Sequence, residues 1–181
     1  YYAAAYGFKK VGTLHQVHIK NLKPGVKYRY RVFSQEGLKH EGTTVLYGNT
    51  IATAVYQKEP LFFETPAYKR THNFVVVNDI HGRNDVLHTL LGIGKVDDAD
   101  FVIFNGDMAN SLQSEQQMFV DFMDTAIERF ASKTPMFYAR GNHETRGPFA
   151  IEYPRYFPTP TGKLYYQFNA GDMGILVLDC G

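Results

Sequence analysis

The sequence holds a single cysteine, Cys180, so no disulfide can form within the chain, and the residue says little about compartment. No apolar run reaches about 18 residues, so no segment is built to cross a membrane as a helix. The opening residues, YYAAAYGFKKVG, lack a basic stretch followed by an apolar one, and no signal peptide is visible. Charge of one sign is not in excess either. The 19 Lys and Arg against 18 Asp and Glu leave a net charge of +1, without the basic surplus usual in a nucleic-acid binder. There is no repeat and no low-complexity tract. What is present is 44% hydrophobic residues in 181, enough for the core of one medium domain or two small ones.

The first 66 residues carry β-type patterning. Residues 14–20 (LHQVHIK) and 26–33 (VKYRYRVF) flank the turn Asn21-Leu22-Lys23-Pro24-Gly25. In the second run Val26, Tyr28, Tyr30 and Val32 alternate with Lys27, Arg29 and Arg31, the period of a half-buried antiparallel strand with a solvated cationic face. Further strand-type runs (TTVLYG, NTIATAVY, LFFET) are separated by turn signals at Glu41-Gly42 and Gly48-Asn49. Pro66 closes the segment, because proline cannot donate to a central ladder. The spacing from Leu22 through Pro24 and Gly25 to Tyr28 resembles the tyrosine corner of fibronectin-type sandwiches, where the hydroxyl bonds back to the chain just upstream. Such a corner falls late in a domain of about 100 residues. The resemblance therefore implies a partial antiparallel β-sandwich over 1–66, clipped at its amino end.

Over 67–181 strands alternate with helices, as in an α/β domain with a mixed sheet and flanking helices. Phe74-Val75-Val76-Val77 and Phe101-Val102-Ile103-Phe104 are continuous apolar runs, expected as strands covered on both faces. A short helix fits Asp85 to Ile93. Ser114 three residues before Gln117 is a capping-box signature, and Met118, Phe119, Phe122, Met123, Ala126, Ile127 and Phe130 form one helical face. Pro135 to Tyr138 makes a third strand, and 164–168 with 174–179 make a hairpin.

Each of the three strands runs into a polar cluster: Asn78-Asp79-Ile80-His81-Gly82, Asn105-Gly106-Asp107-Met108-Ala109-Asn110, and Arg140-Gly141-Asn142-His143-Glu144. Ligands of α/β sheets gather at the carboxyl ends of strands, so the three loops are expected to converge. Asp79 and His81, two apart on one loop, can address one ion. Asp107 can bridge two, and Asn142 offers an amide oxygen. His143, as its neighbour, is expected to be directed elsewhere and free to hold a proton. Two cations about 3.5–4 Å apart can clamp a phosphoryl group and activate a water.

The motifs D-x-H-G, G-D-x-x-N and G-N-H-E, in this order and spaced by 107 − 79 = 28 and 142 − 107 = 35 residues, resemble the calcineurin-like metallophosphoesterases. With the upstream sandwich, the layout is similar to purple acid phosphatases and their bacterial relatives. The resemblance implies hydrolysis of phosphate esters, with Asp79 and His81 on a first metal, Asp107 shared, Asn142 on a second, and His143 as the proton donor. Manganese, iron and zinc all suit this ligand set. Purple members have tyrosine where Asn110 stands and lack the histidine found at 81, so the chain looks like the non-purple branch. The protein-phosphatase branch has aspartate then arginine where Asn110-Ser111 stand, which argues against that activity.

Singly, Asp79 and Asp107 read as turn formers; together, each after an apolar strand, they read as a metal site. Arg140 reads either as a bidentate contact to substrate phosphate or as a surface ion pair, and Glu144 as a structural carboxylate. The family supplies three further histidines, yet none follows His143. A catalytic domain cut short is the expectation, its fragment inactive and prone to self-association through exposed edges. A non-catalytic interaction module is the alternative. An exported location is suggested only by the sandwich-plus-phosphatase layout.

Overall fold

The computed structural model describes residues 4–5, 8–9, 11–52, 61–68 and 71–179. Residues 53–56 of the NTIATAVY run and Cys180 lie outside the described residues. The chain divides into two compact units, Tyr1–Thr65 and Pro66–Gly181.

In the first unit a short antiparallel ladder joins β1 (Ala4–Ala5) and β2 (Phe8–Lys9). β3 (Lys27–Tyr30) pairs antiparallel with β6 (Leu61–Glu64), and β4 (Phe33–Glu41) with β5 (Thr44–Ala52). Tyr28 and Tyr30 are half-buried while Lys27 and Arg29 are exposed, as the alternation requires. The Tyr28 ring stacks on Phe63 at 5.7 Å. Lys23 N donates to the Tyr28 hydroxyl at 2.9 Å, and Thr65 Oγ1 donates to Lys23 O at 2.6 Å, so the 21–25 turn is tied to both strands of the β3–β6 pair.

Three expectations fail in this unit. Residues 14–20 enter no ladder among the described residues; their local pattern finds no partner strand. The 26–33 run breaks after Tyr30, and Val32 is 51% exposed. Gly48-Asn49 is no turn but the middle of β5. A side chain at 48 would meet Glu36 at 2.7 Å and Leu38 at 3.1 Å, so the glycine admits the facing strand.

The second unit is built on a parallel sheet in the order β7 (Phe74–Val77), β8 (Phe101–Asn105), β9 (Met136–Ala139). Helix α1 (Asn84–Ile93) and a helix over 115–131 are the two crossovers. Ser114 Oγ caps the second helix, accepting from Gln117 N at 3.1 Å, while the Gln117 side chain takes Gln113 N at 2.9 Å rather than closing the box on Ser114. The helix widens to i→i+5 turns at Phe119–Met123 and Ile127–Ala131. This drift in phase keeps Met118, Phe122, Ala126 and Phe130 inside but leaves Ile127 43% exposed. Phe104 is the hub of the core, edge-on to Phe122, Phe130 and Tyr138.

Only β8 is covered on both faces. On β7, Val75 and Val77 are buried in the core but Phe74 and Val76, which point to the opposite face, are 43% and 48% exposed, so this strand is covered on one face only. The hairpin β10 (Tyr166–Ala170) and β11 (Met173–Val177) turns at Gly171, φ 56°. It docks on β9 through a Phe137–Phe168 stack at 3.6 Å and a hydrogen bond from the Tyr166 hydroxyl to Tyr138 O at 2.9 Å. Among the described residues no helix is long and apolar enough to cross a membrane.

Candidate metal centre

The three loops meet at the carboxyl ends of the parallel strands. Asp79 N donates to Gly106 O (3.2 Å), His81 N to Asp107 O (3.0 Å) and Gly82 N to Met108 O (2.9 Å), so backbone bonds lace the loop after β7 to the loop after β8. Asp79, His81 and Asp107 adopt left-handed φ of 56°, 53° and 54°. They are three of the five non-glycine residues with positive φ among those described. Each such conformation costs about 1–3 kcal/mol and persists only where the surroundings enforce it. Gly82, φ 72°, lies under Asp121, whose carboxyl a side chain there would meet at 3.0 Å; burial raises the Asp121 pKa.

The loop after β9 approaches still closer. A Cβ on Gly106 would lie 2.7 Å from Gly141 N, and one on Gly141 would lie 2.2 Å from Asp107 Oδ1. Both positions must be glycine for the backbones to touch. Glu144 holds this contact from below. Fully buried, it accepts from Asp107 N (2.9 Å), Met108 N (2.8 Å), Gly141 N (2.9 Å) and the Tyr138 hydroxyl (3.0 Å). The Tyr138 pKa is pushed well above its usual value by burial first and by Glu144 second, so the phenol stays a donor. The expected structural role of Glu144 agrees with this arrangement.

Above that floor the ligand-type side chains cluster. His81, Asp107 and His143 each offer an atom within 4.8 Å of the others. His81 Nε2 faces Asp79 Oδ1 at 3.7 Å, and the Asn142 carboxamide lies 3.1 Å from Asp107 Oδ2. His143 is therefore turned into the cluster, not away from it; its ring meets His81 edge-on at 4.5 Å. His143 Nδ1 sits 2.8 Å from Asn110 O and 3.2 Å from Arg146 Nη1. The shorter contact, to an atom that can only accept, puts the proton on Nδ1 and leaves Nε2 as the nitrogen with work to do. Asn110 also donates from its side chain to His81 O at 3.2 Å. A backbone carbonyl thus orients the histidine.

Arg140 departs from its substrate-contact reading. Its guanidinium forks onto Asp179, Nε to Oδ1 and Nη2 to Oδ2 both at 2.9 Å, a half-buried pair that engages it structurally. Arg146 is the residue that sequence reasoning missed: it reaches both Asn142 and His143. The signal was available, because 146 lies three and four residues beyond them on a helical turn, the spacing that brings side chains together.

These residues fit a metal. One carboxylate and two imidazoles, those of Asp107, His81 and His143, offer ligand atoms within 4.8 Å of one another, Asp79 and the Asn142 amide lie beside them, and His81 Nδ1 is buried without a hydrogen-bond partner. A hollow of about 480 Å³ lies at the amino-terminal end of β7, by His72, Lys95 and Asp98, but the ligand-type cluster is at the opposite strand ends.

Residues 72–180 match the calcineurin-like phosphoesterase family. Purple acid phosphatase 21 of Arabidopsis thaliana is 27% identical over 165 residues, which cover 91% of this chain and 30% of that protein. The fold is similar to the purple acid phosphatase PPD1 from yellow lupin (Lupinus luteus) seeds, with a TM-score of 0.61 at 19% identity, covering 87% of this chain and 31% of that one. The chain spans under a third of the length of these relatives.

Proposed function

The chain belongs to the calcineurin-like phosphoesterase family, and we propose that the protein carrying it hydrolyses phosphate esters at a two-metal centre. The observation that carries this reading is the meeting of three strand-end loops on Asp107, with left-handed backbone at Asp79, His81 and Asp107 themselves. Asp79 and His81 would hold one ion, Asp107 both, and Asn142 the second, with manganese, iron or zinc all compatible. When bound, the ions supply charge neutralisation at the phosphoryl group and a more acidic water.

The chain's own residues do the rest. Glu144 fixes the distance between the Asp107 and Asn142 loops. The Asn110 carbonyl holds the Nδ1–H of His143, so Nε2 is the nitrogen that faces the reaction, and as the imidazolium, with a proton on each nitrogen, the ring would pass the Nε2 proton to the leaving oxygen. In the full-length protein, His143→Ala should lower kcat by about 10²–10⁴-fold with metal content nearly intact. Asn142→Ala should lose metal instead. Equal metal loss in both variants would show that the two roles are wrongly assigned.

Within these 181 residues the second ion has only Asp107 and Asn142, because no histidine follows His143. Two protein ligands compete poorly with hydration, so the isolated chain is expected to turn over little. A non-catalytic interaction module is the second reading. Turnover of an aryl phosphate by the full-length protein with manganese or zinc separates the two. A partial fibronectin-like sandwich in the first unit belongs to the proposal and is supported by the Lys23–Tyr28 bond. So does self-association of the isolated chain, supported by Leu176 and Leu178, 67% and 61% exposed. Export of the protein rests on the two-unit layout.

A further inference from the structure

We propose that Arg146, not Arg140, binds the non-bridging oxygens of the substrate's phosphoryl group, and that its charge favours dianionic phosphomonoesters over monoanionic diesters. The inference rests on the phosphoesterase reading above and names a substrate class for that site.

Arg140 is engaged by Asp179 through two parallel bonds of 2.9 Å, and releasing it would leave a carboxylate 17% exposed without that cation. Arg146 is the reverse case. It is exposed, and among the described residues no carboxylate lies within 4.0 Å of it. Its two neighbours satisfy it incompletely. His143 Nδ1 gives its proton to Asn110 O, so Arg146 Nη1 at 3.2 Å meets a donor and not an acceptor. Arg146 Nη2 lies 3.0 Å from the Asn142 carboxamide and bonds it only when the amide oxygen faces the guanidinium. An ion taking that oxygen would remove the acceptor and leave the fork to an external anion. A guanidinium fork matches two phosphate oxygens and prefers the more highly charged group.

The backbone holds this arginine in register. Leu112 N donates to Arg146 O at 2.7 Å and Arg146 N donates to His143 O at 3.1 Å. Gly147 follows at φ 95°, where a side chain would strike Leu112 O at 2.3 Å. The Cα of Arg146 is thus fixed on the segment leaving Asn110, while its side chain stands over Asn142 and His143.

The test uses the full-length, metal-loaded protein with p-nitrophenyl phosphate, bis-p-nitrophenyl phosphate and inorganic phosphate as probes. Arg146→Ala should lower kcat/KM about 100-fold on the monoester, chiefly through KM, and about 10-fold on the diester, and should weaken inhibition by phosphate about 100-fold. Arg146→Lys should recover part of the monoester loss, since it restores charge without the fork. An unchanged monoester KM and phosphate inhibition, or equal losses on both esters, overturns the proposal. If the unsubstituted protein hydrolyses neither ester, the phosphoesterase reading fails, and phosphate titration by calorimetry decides the inference alone. Phosphate binding that Arg146→Ala weakens supports it; binding indifferent to that substitution, or none, sinks it.

Discussion

Glu144→Ala should destabilise the second unit by about 3–5 kcal/mol and lower its melting temperature by roughly 15 °C. The side chain is fully buried and accepts three backbone N–H groups at 2.8–2.9 Å, from Asp107, Met108 and Gly141, besides the Tyr138 hydroxyl. Alanine leaves those donors buried with nothing to accept from them. Each unsatisfied donor carries a penalty of about 1–3 kcal/mol, and a bond to a charged acceptor is worth more than a neutral one. Glu144→Gln keeps the shape but turns an NH₂ toward the same donors, so it should rescue less than half of the loss. The loops it joins also carry Asp107 and Asn142, so metal affinity should fall in parallel. Thermal melting of the three proteins checks this, and a shift under 3 °C for alanine would show that these bonds do not hold the loops.

Gly141→Ala should abolish activity with only moderate unfolding. Its Cβ would lie 2.2 Å from Asp107 Oδ1, 2.6 Å from Asp107 N and 3.0 Å from Asp107 Cγ. Neither the amide nor the carboxylate can yield cheaply, because Asp107 N bonds Glu144 and Asp107 Oδ1 accepts from His143 N at 3.0 Å. The Asp107 carboxylate must therefore move by about 1 Å. A displacement of that size at a reacting centre costs about 10²-fold, and here it also shifts the shared metal ligand, so kcat/KM should fall by at least about 10³. Normal metal content and normal turnover in this variant would mean that the close approach of the two loops serves packing alone.

The parts of the fold legible in the sequence are those set by short-range pattern. The Ser114 cap, the apolar run of β8 and the hairpin near the end of the chain are local signals, and the structure realises each one, the hairpin with its strands at Tyr166–Ala170 and Met173–Val177. The three loops could be read because each follows such a run. What local pattern cannot supply is the partner. Residues 14–20 have strand-type alternation but no strand beside them, and Gly48 looks like a turn until Glu36 and Leu38 are seen across from it. Arg140 finds Asp179 from 39 residues away, and Glu144 finds Asp107 from 37. A strict helical period puts Ile127 on the buried face, and the i→i+5 turns do not keep that period.

The most direct test of the metal-dependent hydrolysis proposed for the full-length protein is turnover of an aryl phosphate before chelation, after it, and after manganese, iron or zinc is restored. The account predicts that chelation removes turnover, that at least one of these ions brings it back, and that in Asp107→Asn no ion does, since that carboxylate serves both metal positions. Turnover that survives chelation, or that any of the ions restores in Asp107→Asn, would contradict it.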